Sequence, residues 1–139
     1  MTPCKNLSAI LNELNTDAQA VSEDEVQQVV KEIMQANRVF VAGAGRSGFA
    51  ARAFSNRLLH LGYRVAFVGE PTTPPIKQGD LLIICSGSGE TASLVAAGKK
   101  ATAQGARVAL LTIFPQSTIG KLAVCHIAIP GIKIGRAHV

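Results

Sequence analysis

Three hydroxyl side chains and two glycines fall within six residues, Ser86-Gly87-Ser88-Gly89-Glu90-Thr91. Ser86, Ser88 and Thr91 supply hydroxyl donors, and Gly87 and Gly89 let a ligand reach the backbone. The stretch follows the apolar run Leu81-Leu82-Ile83-Ile84 and precedes a helical pattern. Such a run reads as a strand buried on both faces, so the loop delivers the chain into a helix N-terminus. Unpaired backbone N–H groups and the positive end of the helix dipole converge there, and a phosphate is the anion that fits best. Capping the next helix needs one hydroxyl, and three interleaved with glycines exceed that need. Glu90 stands in the first helical turn, where the dipole favours a carboxylate, so capping is its simplest role and catalysis the sharper one.

A second loop has comparable content. Gly43-Ala44-Gly45-Arg46-Ser47-Gly48 follows a strand pattern at 38–42 and leads into a helix running to about residue 61. It satisfies G-x-G-x-x-G, and Glu70 lies just beyond the next strand pattern, 64–68, about where a dinucleotide domain places its ribose-binding acid. An NAD-binding domain is therefore one reading. Against it, two helices precede the first strand, and a dinucleotide site does not require the second loop. A single sugar phosphate held between the loops accounts for both, with Ser47 contacting the sugar or the phosphate. Arg46 either pairs bidentately with that ligand or lies on the surface. His60 shares a helix face with Phe54, Arg57 and Leu61 and is more simply a packed or interface histidine than a proton shuttle. Glu70 follows a strand end and is placed to orient hydroxyls.

Positioning these loops requires alternating helices and strands. Leu7, Ile10, Leu11 and Leu14 mark one face of a short helix ending near Asn15. Ser22 with Glu25 forms a capping box for a second helix, whose stripe is Val26, Val29, Val30 and Ile33. Pro71-Thr72-Thr73-Pro74-Pro75 is a stiff connection that forbids helix and ladder pairing. Asp80 then introduces the central strand. The helix after the hydroxyl loop carries Leu94 and Val95 among alanines and ends at Gly105. A strand at 107–112, with Val108, Leu110 and Leu111 buried, leads through a short helix at 119–123 to a last strand at 124–129. The expected fold is α/β, a doubly wound five-stranded parallel sheet with helices on both faces. Ligands on such sheets bind beyond the carboxyl ends of the strands, where the strand order reverses.

Composition narrows the function classes. Apolar content of 47% and charged content of 17% exclude a disordered chain, and 139 residues suffice for one domain with its own core. The net charge of +5 is scattered, with one Tyr and no Trp for base stacking, so no nucleic-acid partner is expected. Cys4, Cys85 and Cys125 form no C-x-x-C pair, which argues against a disulfide framework or a zinc site and for a cytoplasmic protein. Neither a run of ~18 apolar residues nor a signal-peptide layout is present, so no membrane association is expected.

Residues 6–131 resemble a sugar isomerase (SIS) domain, and five segments resemble the 6-phospho-3-hexuloisomerase family in particular. They are Gly43-Ala44-Gly45-Arg46-Ser47-Gly48, Arg57-Leu58-Leu59-His60-Leu61-Gly62, Val68-Gly69-Glu70, Thr73-Pro74-Pro75 and Ser86-Gly87-Ser88-Gly89-Glu90-Thr91. The last segment alone gives the superfamily; Arg46, His60, Glu70 and Thr73 narrow it. The resemblance implies a flavodoxin-like three-layer sandwich. It also implies interconversion of 3-hexulose 6-phosphate and fructose 6-phosphate by a homo-oligomer, with no metal and no cofactor. It implies phosphate contacts from Ser86, Gly87, Ser88, Gly89, Glu90 and Thr91; Ser47 is placed to contact the sugar or the phosphate, and Gly45, Arg46 and Thr73 are further candidates for binding the substrate.

Moving a ketone between C3 and C2 requires a base, an enediol and donors that stabilise the enediolate. The family's glutamate is expected beyond the fifth strand. Glu70, Glu90 and His60 are the weak candidates that remain, and the chain is expected to bind ligand without turnover. The final residues Lys133-Ile134-Gly135-Arg136-Ala137-His138-Val139 correspond to a translated sequencing-adapter read, so the domain is taken as 1–132 and 133–139 as a non-native tail. A non-catalytic sugar-phosphate sensor is the other class that keeps both loops.

Overall fold

The computed structural model describes residues 1–131, and the tail at 133–139 lies outside them. Ten elements follow in order: α1 (Lys5–Ala18), α2 (Glu23–Gln35), β1 (Val39–Gly43), α3 (Gly45–His60), β2 (Val65–Phe67), β3 (Leu81–Cys85), α4 (Ala92–Ala103), β4 (Arg107–Thr112), α5 (Thr118–Leu122) and β5 (Cys125–Ala128). The five strands make one parallel sheet in the order β2-β1-β3-β4-β5. The chain starts mid-sheet, steps outward to β2, then returns to the other side of β1, so the order reverses between β1 and β3.

Alternate strand residues point to opposite faces. Val39, Val41, Leu81, Ile83 and Ala109 pack with Val29 and Ile33 of α2 and with Ala51 and Leu58 of α3. Phe40, Ala42, Leu82, Ile84, Val108 and Leu110 pack with Leu94 and Ala101 of α4 and with Ile119 of α5. Both faces are therefore covered, as the continuous apolar strands require. β2 and β5 are the edges, and every residue in them is only half-buried. Leu111 is likewise half-buried, short of the full burial its apolar strand suggests.

The amino edge of the sheet is closed by charge. Arg38, just before β1, donates to both carboxylate oxygens of Asp80, just before β3, at 3.1 and 2.7 Å, and stacks 5.2 Å from the Phe40 ring centroid. Burial alone raises the Asp80 carboxyl, but hydrogen bonds from Arg38 and the Lys77 N–H outweigh it and hold the pKa below the usual carboxylate value. Arg107, opening β4, pairs with Glu32 of α2.

Two helices depart from their patterns. The stripe of α2 is Val26, Val29 and Ile33 with the buried Glu32, whereas Val30 faces solvent. Arg107 explains the exchange, since a carboxylate with a cation on it tolerates burial that an unpaired one does not. Ser22 caps α2 by accepting from the Glu25 N–H at 3.2 Å. The Glu25 carboxylate, expected to complete the box, instead accepts from the Ala128 N–H at 2.9 Å and meets His126 Nε2 at 3.3 Å, which satisfies an edge strand. The amphipathic α1 forms and runs three residues beyond Asn15, yet Leu7, Ile10, Leu11 and Leu14 are each 54 to 57% exposed.

Candidate functional site

Gly43 and Cys85 are partners in the β1–β3 ladder, so the loops that leave them start side by side at the reversal of strand order. Neighbouring strands lie about 4.8 Å apart, which brings the 43–48 and 86–91 segments to one rim. α3 begins at once because Gly48 lets it approach β1: a Cβ there would lie 2.9 Å from the Gly43 carbonyl oxygen. Ser47 is half-buried on its first turn, and Gly45, with a φ of +60°, and Arg46 are exposed beside it.

The 86–91 loop is folded by its own hydroxyls. The buried Ser86 Oγ accepts from the Gly89 N–H at 3.0 Å and lies 3.4 Å from Thr91 Oγ1, and Ser88 Oγ accepts from the Glu90 N–H at 3.1 Å. Each serine thus braces a tight turn as an acceptor; Ser88 keeps its own proton to donate, while Ser86 and Thr91 use one hydroxyl proton between them and keep the other. Among the described residues, the N–H groups of Gly87, Ser88, Thr91, Ala92 and Ser93 have no hydrogen-bond partner. Thr91 stands at the N-cap of α4 without capping it through its side chain, so the first turn of that helix presents its donors outward. An oxyanion is the ligand these groups are able to satisfy.

Neighbouring elements hold the loop from behind. Ile113 N–H donates to the Gly87 carbonyl at 3.0 Å and Ile119 N–H to the Gly89 carbonyl at 3.1 Å. Gly89 has a φ of +66°, and a Cβ there would overlap Ser117 Oγ. Glu90 reaches across to α5, accepting from the Thr118 N–H at 2.9 Å and the Thr118 hydroxyl at 2.6 Å. It does bind a helix N-terminus, but that of α5 rather than of its own helix. Burial pushes the Cys85 thiol up to about 11, so this cysteine at the root of the loop is a neutral packing residue at physiological pH.

The other candidates are distributed unevenly. Glu70 stands at the carboxyl end of the sheet after β2, and its carboxylate is paired with Arg52, whose guanidinium lies 4.2 Å from the Phe67 ring centroid. Thr73 uses its hydroxyl to hold the proline-rich connection, donating to the Phe67 carbonyl at 2.6 Å. His60 ends α3, roughly 22 Å along the helix axis from Gly45, so within one chain it is not brought to the loops. Two cavities of 510 and 440 Å³ lie near the proline-rich connection, lined partly by Glu70 and Thr73 but by no residue of the 86–91 loop. Neither takes in the unpartnered N–H groups of that loop, which is why the loop is the better anion site. Among the described residues no group of three or more His, Cys, Asp or Glu is placed to hold a metal, and no helix is long and apolar enough to cross a membrane.

Sequence reasoning missed Thr112, Ser117 and Thr118. A Thr or Ser beyond the next strand was visible, but its contact with the loop depends on a strand order that no local pattern encodes. The strand order also answers the dinucleotide reading, because such domains, built from two mononucleotide-binding halves, run 3-2-1-4-5-6 rather than 2-1-3-4-5.

Comparison with known proteins places these features in context. The family model described as the SIS domain matches residues 32–134. The chain is 46% identical over 131 residues to a 3-hexulose-6-phosphate isomerase of Bacillus subtilis, covering 94% of this chain and 71% of that protein. It is 42% identical to the 3-hexulose-6-phosphate isomerase of Mycobacterium gastri, covering 92% of this chain and 64% of that one. A crystal structure from Methanococcus jannaschii, of a protein inferred to have the molecular function of 3-hexulose-6-phosphate isomerase, superposes with a TM-score of 0.74 at 32% identity, covering 84% of this chain and 67% of that one.

Proposed function

The chain belongs to the SIS domain family, and from that premise we propose that it is a 3-hexulose-6-phosphate isomerase, binding the phosphate of its substrate on the 86–91 loop. The observation that carries this reading is the set of five N–H groups, at 87, 88 and 91–93, that have no partner among the described residues and lie where the strand order reverses. Ser86, Ser88 and Thr91 add hydroxyl protons, and Ser47, Gly45 and Arg46 face the same rim from the neighbouring strand. Thr73 and Glu70 shape the adjoining wall through their bonds to Phe67 and Arg52.

The reaction moves a ketone between C3 and C2 through an enediol, which needs proton transfer and donors at both oxygens. Anchoring the phosphate supplies positioning, worth several kcal/mol when reacting groups are held in line. Glu70 and Glu90 are both engaged, the first by Arg52 and the second by Thr118, so we assign the base to neither. The protein works as a homo-oligomer in the cytoplasm. The bare apolar face of α1 and the exposed Phe49, Leu59 and Leu61 on and just after α3 support the first part, and three cysteines free of pairing spacing support the second.

Thermal melting in the presence of fructose 6-phosphate, fructose and NAD tests the binding claim. A ligand at one hundred times its Kd adds about 2.7 kcal/mol. Stabilisation by fructose 6-phosphate alone is the expected result; stabilisation by NAD alone overturns the reading. Conversion of 3-hexulose 6-phosphate to fructose 6-phosphate, followed with the purified protein, tests the activity.

A further inference from the structure

We infer that Thr112, the last residue of β4, is a positioning residue that aims the Ser88 N–H at the ligand; the inference rests on the phosphate reading of the 86–91 loop. Thr112 is fully buried and lies in another strand, 25 positions from Gly87 in sequence. Its Oγ1 lies 3.1 Å from the Gly87 carbonyl oxygen and accepts from the Phe114 N–H at 3.0 Å. A hydroxyl has one proton. Because Phe114 already donates to that oxygen, the proton of Thr112 goes to the Gly87 carbonyl.

That bond fixes a peptide plane. The Gly87 carbonyl and the Ser88 N–H belong to one trans peptide unit and point in opposite directions. Ile113 N–H and Thr112 Oγ1 together draw the carbonyl inward, so the Ser88 N–H is turned outward, and it has no partner among the described residues. Gly87 itself offers no side chain to hold this orientation, and a glycine explores more backbone conformations than any other residue. The second bond from Thr112 therefore does what a side chain at 87 cannot.

The test compares Thr112→Val, which keeps the shape and removes the hydroxyl, with Thr112→Ser, which keeps the hydroxyl, using calorimetric titration of the intact protein with fructose 6-phosphate and with inorganic phosphate. T112V is expected to weaken both affinities roughly 3- to 10-fold, the value of one neutral hydrogen bond, and T112S to restore them. Parent-like affinity in T112V overturns the inference, as does equal weakening in T112S, which would assign the effect to packing. Should T112V fail to fold, hydrogen exchange at the Ser88 amide of the parent decides. Slower exchange with inorganic phosphate supports an outward Ser88 donor, and unchanged exchange, while neighbouring amides are protected, contradicts it. Failure of the parent to bind either ligand would instead count against the proposed function.

Discussion

At the amino ends of β1, β3 and β4 the sheet is closed by ion pairs, Arg38 with Asp80 and Arg107 with Glu32, whereas at the carboxyl ends of β1 and β3 it opens into glycines and hydroxyls with N–H groups left over. The strands are shared, so both edges inherit the same register, yet one edge has its polar groups matched and the other holds them in reserve. On the proposed reading, stability and binding are thereby separated along a strand only five residues long. Changes at the amino edge should move melting and leave affinity alone, and changes at the carboxyl edge should do the reverse.

The largest effect is expected from Asp80→Asn. Asp80 is buried with two Arg38 bonds on it, and each hydrogen bond to a charged group that is lost costs roughly 1.5 to 3 kcal/mol. Denaturant unfolding should show that loss at neutral pH, with fructose 6-phosphate affinity of the folded fraction unchanged. The sign with pH follows from the lowered Asp80 pKa. The unfolded carboxyl titrates near 3.8, so its contribution is complete above that value and is lost as pH falls through the lower folded value. The gap between parent and variant should therefore narrow only below pH 3.8.

Gly89→Ala comes next, and it is the change that should affect both quantities. A left-handed backbone costs a non-glycine residue roughly 1 to 2 kcal/mol, and the new Cβ would overlap Ser117. We expect a drop in melting temperature and at least tenfold weaker phosphate binding by calorimetry. Ser88→Ala should be cleaner. Loss of its hydroxyl removes one charge-assisted bond, worth about 1.5 to 3 kcal/mol of binding, with little change in melting, because Ser88 braces only the Glu90 N–H. Glu70→Gln should be the mildest. The Arg52 and Glu70 side chains are 53% and 39% exposed, and such pairs contribute about 0 to 1 kcal/mol, so unfolding should change little. A loss of sugar-phosphate affinity in that variant would extend the ligand site to the end of β2.

What could be read from the chain divides along the same line. Continuous apolar runs such as Leu81-Leu82-Ile83-Ile84 announce a doubly covered strand, and the hydroxyl-glycine loop after it carries its chemistry in six adjacent residues. The pairs that finish each edge were not legible, because they join residues far apart: Arg38 with Asp80, 42 positions on, and Glu90 with Thr118, 28 positions on. Glu25 shows the limit from the other side. The local pattern supplies a capping partner at Ser22, but the N–H of Ala128, 103 positions away, takes the carboxylate. Periodicity in α1 likewise specifies a helix with one apolar face and carries no information about what meets that face.

The proposed activity requires a phosphate held by the 86–91 loop and the first turn of α4. Amide resonances of the isotope-labelled protein, followed during titration with fructose 6-phosphate, test it most directly. The predicted result is saturable movement concentrated at Gly87, Ser88, Thr91, Ala92 and Ser93, with little change at the ion-paired edge around Arg38 and Asp80. Unmoved amides at those five positions, with saturable shifts lining the cavities beneath the proline-rich connection, would contradict it.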